Sequence, residues 1–445
     1  MGGARVTRRR EGDPAAPGGT PVTSRATSAY DPRMDDLRAA LPGFDPDAPL
    51  PAASVPWDSL PMPARRDAPP WAMAEMIAAE PELGARIVDR LLANGSATAL
   101  AKAVHAAGEA GEPVVVTGCG TSEHAAMATA AILRDGWRAA GLGGWGPVSV
   151  QAFELAQDAP SRGLVIGISH EGGSAATIAA LDAARARGAR TALVTASAGA
   201  PAADAADIVL ATLELDRSWC HTVGYVSPVV AATAVTGILA GGTPNAARPR
   251  TRLADGIEAA HAAAPDGARP DERMGGVIAT ARHLLVVASG VDRVTARELT
   301  LKVEEAAWVP SAMRDLETFL HGHLPATGPG TALVLVLLER GGLDARSARA
   351  RQALAAAAET GIACAAILGA DAAARIPDTL TPAGRIVVPE RADMPNAPAA
   401  LLGAAGPLQL VTLEVAHARG TNPDPIRRDD HVYLRAAEVA DAPEG

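Results

Sequence analysis

Two short stretches of this 445-residue chain carry residue types that grip a small polar ligand. Gly118-Cys119-Gly120-Thr121-Ser122 follows the apolar run Val114-Val115-Val116 and leads into an Ala-rich stretch with helical character. A glycine-rich turn between strand and helix aims backbone N–H groups and hydroxyls at an anion or a polyhydroxy molecule, with the helix N-terminus behind them. Taken alone, such a turn is often only a tight turn. A second polar loop, Ser169-His170-Glu171-Gly172-Gly173-Ser174-Ala175-Ala176-Thr177, occupies the corresponding place one strand–helix unit later. Polar loops at the carboxyl ends of neighbouring parallel strands are where open α/β sheets hold ligands. Cys119, Gly120, Thr121, Ser122, Ser169, His170, Glu171 and Ser174 are therefore the candidate substrate-binding residues.

A third group lies far downstream: Lys302-Val303-Glu304-Glu305, then His321-Gly322-His323. A Lys-x-x-Glu pair on a helix is usually a solvated surface pair contributing ~0.2–0.5 kcal/mol. His-Gly-His raises the question of a metal, but no carboxylate at a helical metal spacing joins it, so neither metal nor cofactor is expected. Cys119 reads as a small buried residue and not as a nucleophile. The loop Ser218-Trp219-Cys220-His221-Thr222 offers a ring and an imidazole that could stack on and hydrogen-bond to a sugar; equally, Trp219 could cap a core short of aromatics.

The elements that must position these residues follow from apolar patterning. Met73, Met76, Ile77, Leu83, Ile87, Val88 and Leu91 form a helical stripe over 70–93. Strands are expected at 114–116, 164–168 and 191–194, with Gly188 ending the intervening helix. The rhythm restarts after a helical stretch at 251–264: strands at 284–288, 331–338 and 362–368, helices at 294–308 and 345–360. This alternation predicts an α/β fold of two tandem domains, each a parallel sheet flanked by helices, doubly wound and flavodoxin-like. The expected boundaries are 1–65, a disordered or loosely docked arm; 66–245, a leading helix and first domain; and 246–445, a second domain whose tail closes the active site. Met34 opens more ordinary sequence and is an alternative translation start.

Composition narrows the class. Hydrophobic residues make up 48% of the chain and aromatics only 3%, so close layers of small side chains are expected. The formal net charge of −10 opposes nucleic-acid binding, which needs clustered Lys and Arg, and Arg8-Arg9-Arg10 reads as a solvated tail. Three cysteines are too few for a disulfide framework, and no uninterrupted apolar run predicts a membrane span or a secretory signal. A reduced, cytoplasmic protein is expected.

With the two loops in place, the sequence resembles the SIS (sugar isomerase) domain family, and in particular the isomerase half of glucosamine-6-phosphate synthase. The resemblance rests on 118–125 and 169–177, on Met73, Met76-Ile77 and Glu80-Pro81 near the start, and on Gly420-Thr421-Asn422-Pro423-Asp424 near the end. It covers roughly residues 70–440. Lys302, Glu305 and His321 match the family's Lys-x-x-Glu…His-Gly segment in spacing. The resemblance implies that Glu305 moves a proton between C1 and C2 of an open-chain sugar. It also implies that His321 assists ring opening from the neighbouring subunit, hence a homodimer with shared active sites.

The departures matter as much. No glutaminase domain is expected from the sequence ahead of Pro70, which has no N-terminal Cys and is too short to fold as one. Aligning the tail puts His431 where the synthase has its imine-forming Lys, and an imidazole can carry protons but form no Schiff base with a ketose. Glu171 stands where the family has a phosphate-contacting Ser. Two like charges about 4 Å apart repel by about 4 kcal/mol at an effective dielectric near 20. Either Glu171 points away, or a cation such as His170 offsets it, or the substrate carries no phosphate in the usual place. The expected function is an aldose–ketose isomerase or deglycase acting on a sugar or sugar phosphate, with Glu305 as base, Lys302 beside it, and His321 and His431 as proton carriers. The alternatives are a non-catalytic sugar sensor and an amino-sugar synthase dependent on ammonia or a partner.

Overall fold

The computed structural model describes Met1 and residues 35–264 and 267–440; Arg8-Arg9-Arg10 and Met34 lie outside the described residues. The described residues from 35 onward form one compact unit holding two five-stranded sheets. The first contains β1 (Val114–Thr117), β2 (Val148–Ser149), β3 (Leu164–Ile168), β4 (Arg190–Thr195) and β5 (Ile208–Ala211) in the order β2-β1-β3-β4-β5. The second contains β6 (His283–Ala288), β7 (Ser311–Asp315), β8 (Thr331–Leu337), β9 (Ala363–Gly369) and β10 (Arg385–Val388) in the order β10-β9-β8-β6-β7. All pairings are parallel.

Numbered within itself, each sheet runs 2-1-3-4-5, the doubly wound α/β order expected from the sequence. The winding reverses between β1 and β3, and again between β6 and β8, which places a crevice at the carboxyl ends of each pair. Register Val114↔Leu164 through Thr117↔Gly167 sets the loops after β1 and β3 side by side.

The central strands and their helices lie where the apolar runs place them, and Gly188 ends the helix Ala175–Arg187 at φ 105°. The edge strands β2, β5, β7 and β10 went unread. They are short and only partly buried, so they carry no continuous apolar run.

Small residues bring the helices close. A methyl group at Gly256 would sit 2.4 Å from the Gly403 carbonyl oxygen, so the helices Ala247–His261 and Asn396–Arg419 meet backbone to backbone there. Asn396–Arg419 is apolar and long enough to cross a membrane, but it lies buried against neighbouring helices as a core element. The described part of the arm docks on the body. Leu37, Leu41 and Leu50 are buried in the main core, Leu50 N–H donates to Glu214 (2.9 Å), and Leu215 N–H donates to the Pro51 carbonyl (3.1 Å).

Candidate functional site

At the β1/β3 crevice lies a cavity of about 320 Å³, lined by Cys119, Thr121 and Ser122 from the first loop and Ser169, His170, Glu171, Gly173 and Ser174 from the second. His221 and, from the arm, Trp57 and Ser59 complete it. This is the lower end of the size range for small-molecule sites. Seven of the eight candidate binding residues are on its walls. The eighth, Gly120, shapes the turn from φ 57°, ψ −128°, a backbone state that excludes a side chain. Gly118 allows the close approach of the loops: a methyl there would lie 2.5 Å from the Ser122 carbonyl oxygen and 3.0 Å from that of Ile168. The amides of Ser122 and Glu123 are already used, donating to the Cys119 and Gly120 carbonyls (3.0 and 2.9 Å).

A buried carboxylate fixes the neighbouring loop. Asp216 accepts from the amides of Ser218 (3.0 Å), Thr222 (2.8 Å) and Gly224 (3.2 Å), and its own amide donates to His170 Nε2 (2.9 Å). His170 therefore presents Nε2 as an acceptor, which makes it a neutral imidazole. Burial, then the nearby His221, push its pKa down to about 3, so it is not the cation that could offset Glu171. His221 stands 3.7 Å from the Asp216 carboxylate. Burial works against its charged form, but Asp216 outweighs this and raises its pKa.

Glu171 lies at the cavity wall with its role in view. Its carboxylate accepts the Leu60 amide (3.1 Å) and its carbonyl accepts the Trp57 indole N–H (2.9 Å), so it ties down the arm. Trp57 and Ser59 left no signal in the sequence, because a Pro-rich segment without period gives no indication of what it docks on.

The third group forms a buried chain at the junction of the domains. His124, in the first turn of the helix Thr121–Ala139, pairs with Glu298 (2.7 Å). Glu298 stands 3.7 Å from the Lys302 ammonium, which bonds Glu305 at 2.5 Å. The Lys302 side chain is 0% exposed and that of Glu305 is 22% exposed, so this is no solvated surface pair. Burial opposes the charge on Lys302, but Glu305 and Glu298 prevail and raise its pKa, keeping it an ammonium. Neither Lys302 nor Glu305 lines the cavity; the link is Cys220, beside His221, whose thiol lies 3.9 Å from the Lys302 carbonyl.

The tail braces this junction. Thr421 Oγ1–H donates to the Ala306 carbonyl (2.7 Å), the Asp424 carboxylate caps the helix Ala72–Ala93 at the amides of Ala72 and Met73 (2.8 and 2.9 Å), and the Asp424 carbonyl accepts the Trp219 amide (2.9 Å). Trp219 does not line the cavity; Arg428 covers its ring at 5.3 Å. His321 and His431 lie outside the constellation. His321 is 71% exposed and pairs with Glu317 (2.6 Å), and His431 is 93% exposed at the start of the helix His431–Ala440.

Residues 152–240 match the family model of the SIS domain. Among solved structures, the C-terminal domain of glucosamine-fructose-6-phosphate aminotransferase from Francisella tularensis aligns over 81% of this chain and 99% of its own, with a TM-score of 0.66 and 18% identity. Tagatose-6-phosphate ketose/aldose isomerase from Escherichia coli aligns over 82% and 97%, with a TM-score of 0.61 and 20% identity. Glucosamine-6-phosphate deaminase from Thermotoga maritima aligns over 70% and 87%, with a TM-score of 0.52 and 17% identity. At these identities the likeness is one of fold: two SIS-type α/β sheets in tandem. A search of the curated proteins finds no match.

Proposed function

We propose that this protein is a sugar-processing enzyme of the aldose–ketose isomerase or deglycase type, binding its substrate in the β1/β3 cavity. The observation that carries the reading is the fully buried Lys302 holding a partly exposed Glu305 at the domain junction, which Cys220 joins to the cavity residue His221. A buried ammonium is costly unless its partners are fixed, so this arrangement holds a carboxylate in one place at the domain junction. Glu305 would take the proton from C2 of the open-chain aldose while the C2–H electrons form the C1=C2 enediol and a proton carrier protonates O1. Returning the proton to C1, with loss of the O2 proton, gives the ketose.

Within one chain, the proton carrier at the cavity is His221, backed by Asp216. His321 and His431 keep such roles only at a cavity to which they are brought. For His321, exposed on the second domain, the homodimer with shared sites that the resemblance implies would supply that cavity from a second copy of the chain.

The test is incubation of the protein with candidate sugars in D2O. Deuterium should appear at C1 of the ketose and at C2 of the recovered aldose, and Glu305→Gln should slow its entry by about 10²–10⁴-fold. Full exchange by Glu305→Gln would remove Glu305 as the base. Stabilisation by sugars without any exchange would make the protein a sensor.

A further inference from the structure

The cavity is only partly built by the sheet, because Trp57 and Ser59 belong to the arm. The Trp57 ring stands over Gly173, where a methyl group would lie 2.8 Å from its edge. Its indole N–H is held by the Glu171 carbonyl, and the Leu60 amide three residues on by the Glu171 carboxylate. The fit of ring to glycine, with two hydrogen bonds to one residue, makes this segment a built wall.

The lining has a definite chemistry. Ser59, Thr121, Ser122, Ser169 and Ser174 supply hydroxyls, Trp57 an aromatic surface and Glu171 a carboxylate; neither Lys nor Arg is among the lining residues. One Glu171 oxygen takes the Leu60 amide, and among the described residues no cation pairs with the carboxylate. His170 is committed as an acceptor to the Asp216 amide, and His221 faces Asp216. The cavity thus presents a carboxylate with no Lys or Arg partner amid hydroxyls and a ring; His221, whose charged form Asp216 favours first and Glu171 after it, leaves two carboxylates to one imidazolium.

We infer that the docked arm is part of the ligand site, and that the site takes a monosaccharide bearing a protonated amine and no phosphate at this loop, with Trp57 against the sugar ring and Glu171 toward the amine. This rests on reading the cavity as the sugar site, and it departs from the phosphorylated compounds named for the proteins of similar fold. An ammonium gains from Glu171 what a phosphate dianion loses to it, and the C–H face of a sugar ring buries apolar surface against an indole.

Calorimetric titration of the full chain with D-glucosamine, D-glucose and the 6-phosphate of each tests it. Glucosamine should bind about tenfold more tightly than glucose, and each 6-phosphate at least about tenfold more weakly than its parent sugar. Glu171→Gln keeps an oxygen for the Leu60 amide and removes the charge, so it should erase the amine preference and shrink the phosphate penalty. Trp57→Ala should weaken every sugar by about tenfold or more, whereas Trp57→Phe, which keeps a ring, should stay within about threefold. The inference is overturned if the wild type prefers the 6-phosphates, if Glu171→Gln leaves the ranking unchanged, or if Trp57→Ala binds like the wild type. Should Trp57→Ala fail to fold, Trp57→Phe and Glu171→Gln still decide. Binding in the expected order with no deuterium exchange would sink the isomerase reading and leave this one standing.

Discussion

At the ends of β1 and β3 the crevice holds a cavity; at the ends of β6 and β8, the same place in the second sheet, the protein's own side chains fill it. Glu339 accepts from the amides of Val291 (3.0 Å) and Gly341 (2.9 Å) and from the Asn396 side-chain amide. Asp292 accepts from the amides of Leu338 and Glu339, both at 2.8 Å. Arg346 bonds Ser289 and the Gly341 carbonyl, and a methyl at Gly290 would meet Arg346 and Glu339 at 2.8 Å. Where an anionic or polyhydroxy ligand would accept amide hydrogen bonds, internal carboxylates accept them. One winding order thus yields two outcomes, decided by whether the loop carboxylate turns inward, as Glu339 does, or binds an arm across an open cavity, as Glu171 does.

The largest effect expected from this difference is a pH dependence of opposite sign at the two crevices: His170 at the open one, its pKa depressed, adds stability as pH rises toward 7, and Asp292 at the filled one does the reverse. Burial raises the pKa of Asp292 to about 7 against the two amides, which lower it, with Glu339 and Arg346 facing it from the loop after β8 and the helix Leu343–Glu359. An acid whose folded pKa lies above its unfolded value binds its proton more tightly in the folded protein. Its contribution is therefore fully present below about pH 4 and is lost as pH rises toward 7, a change of up to about 4 kcal/mol for a shift of this size. Asp292→Asn should flatten that fall in urea unfolding measured from pH 4 to 7. An unchanged slope would mean that Asp292 is ionised in the folded state and that the filled crevice resembles the open one electrostatically.

Next in size is Glu339→Ala. It strands the Val291 amide in a buried site, at a cost of about 1–3 kcal/mol, whereas the exposed Gly341 amide can turn to water, so a loss of about 2 kcal/mol in urea unfolding is expected. Sugar binding at the first crevice should be unaltered. A loss of binding along with stability would show that the two crevices act as one site.

What the sequence discloses, and what it hides, divides along the same line. Both strand–loop–helix units of the first sheet are legible because buried parallel strands are continuous apolar runs ended by glycine. The spacing of Lys302 and Glu305 is legible too, yet their burial is not: a Lys-x-x-Glu pair looks the same on a wet face as at a domain junction. The filling of the second crevice is hidden because Glu339, Arg346 and Asn396 meet from three separate elements. The docking of 35–66 is hidden because it depends on a few leucines and on backbone hydrogen bonds, which impose no periodicity.

The smallest expected effect is the most discriminating. Glu171→Ala removes the acceptor of one half-buried amide, that of Leu60, while the Glu171 carbonyl that holds Trp57 remains. Water can replace a partly exposed acceptor, so the cost to global stability should be about 1 kcal/mol or less. The change should appear locally, as faster amide hydrogen exchange at Leu60 and earlier proteolysis within 50–66, because the arm opens without the sheet. Were Glu171→Ala to destabilise the whole fold as much as Glu339→Ala, the first loop would also be a structural plug, and the contrast between an open and a filled crevice would fail.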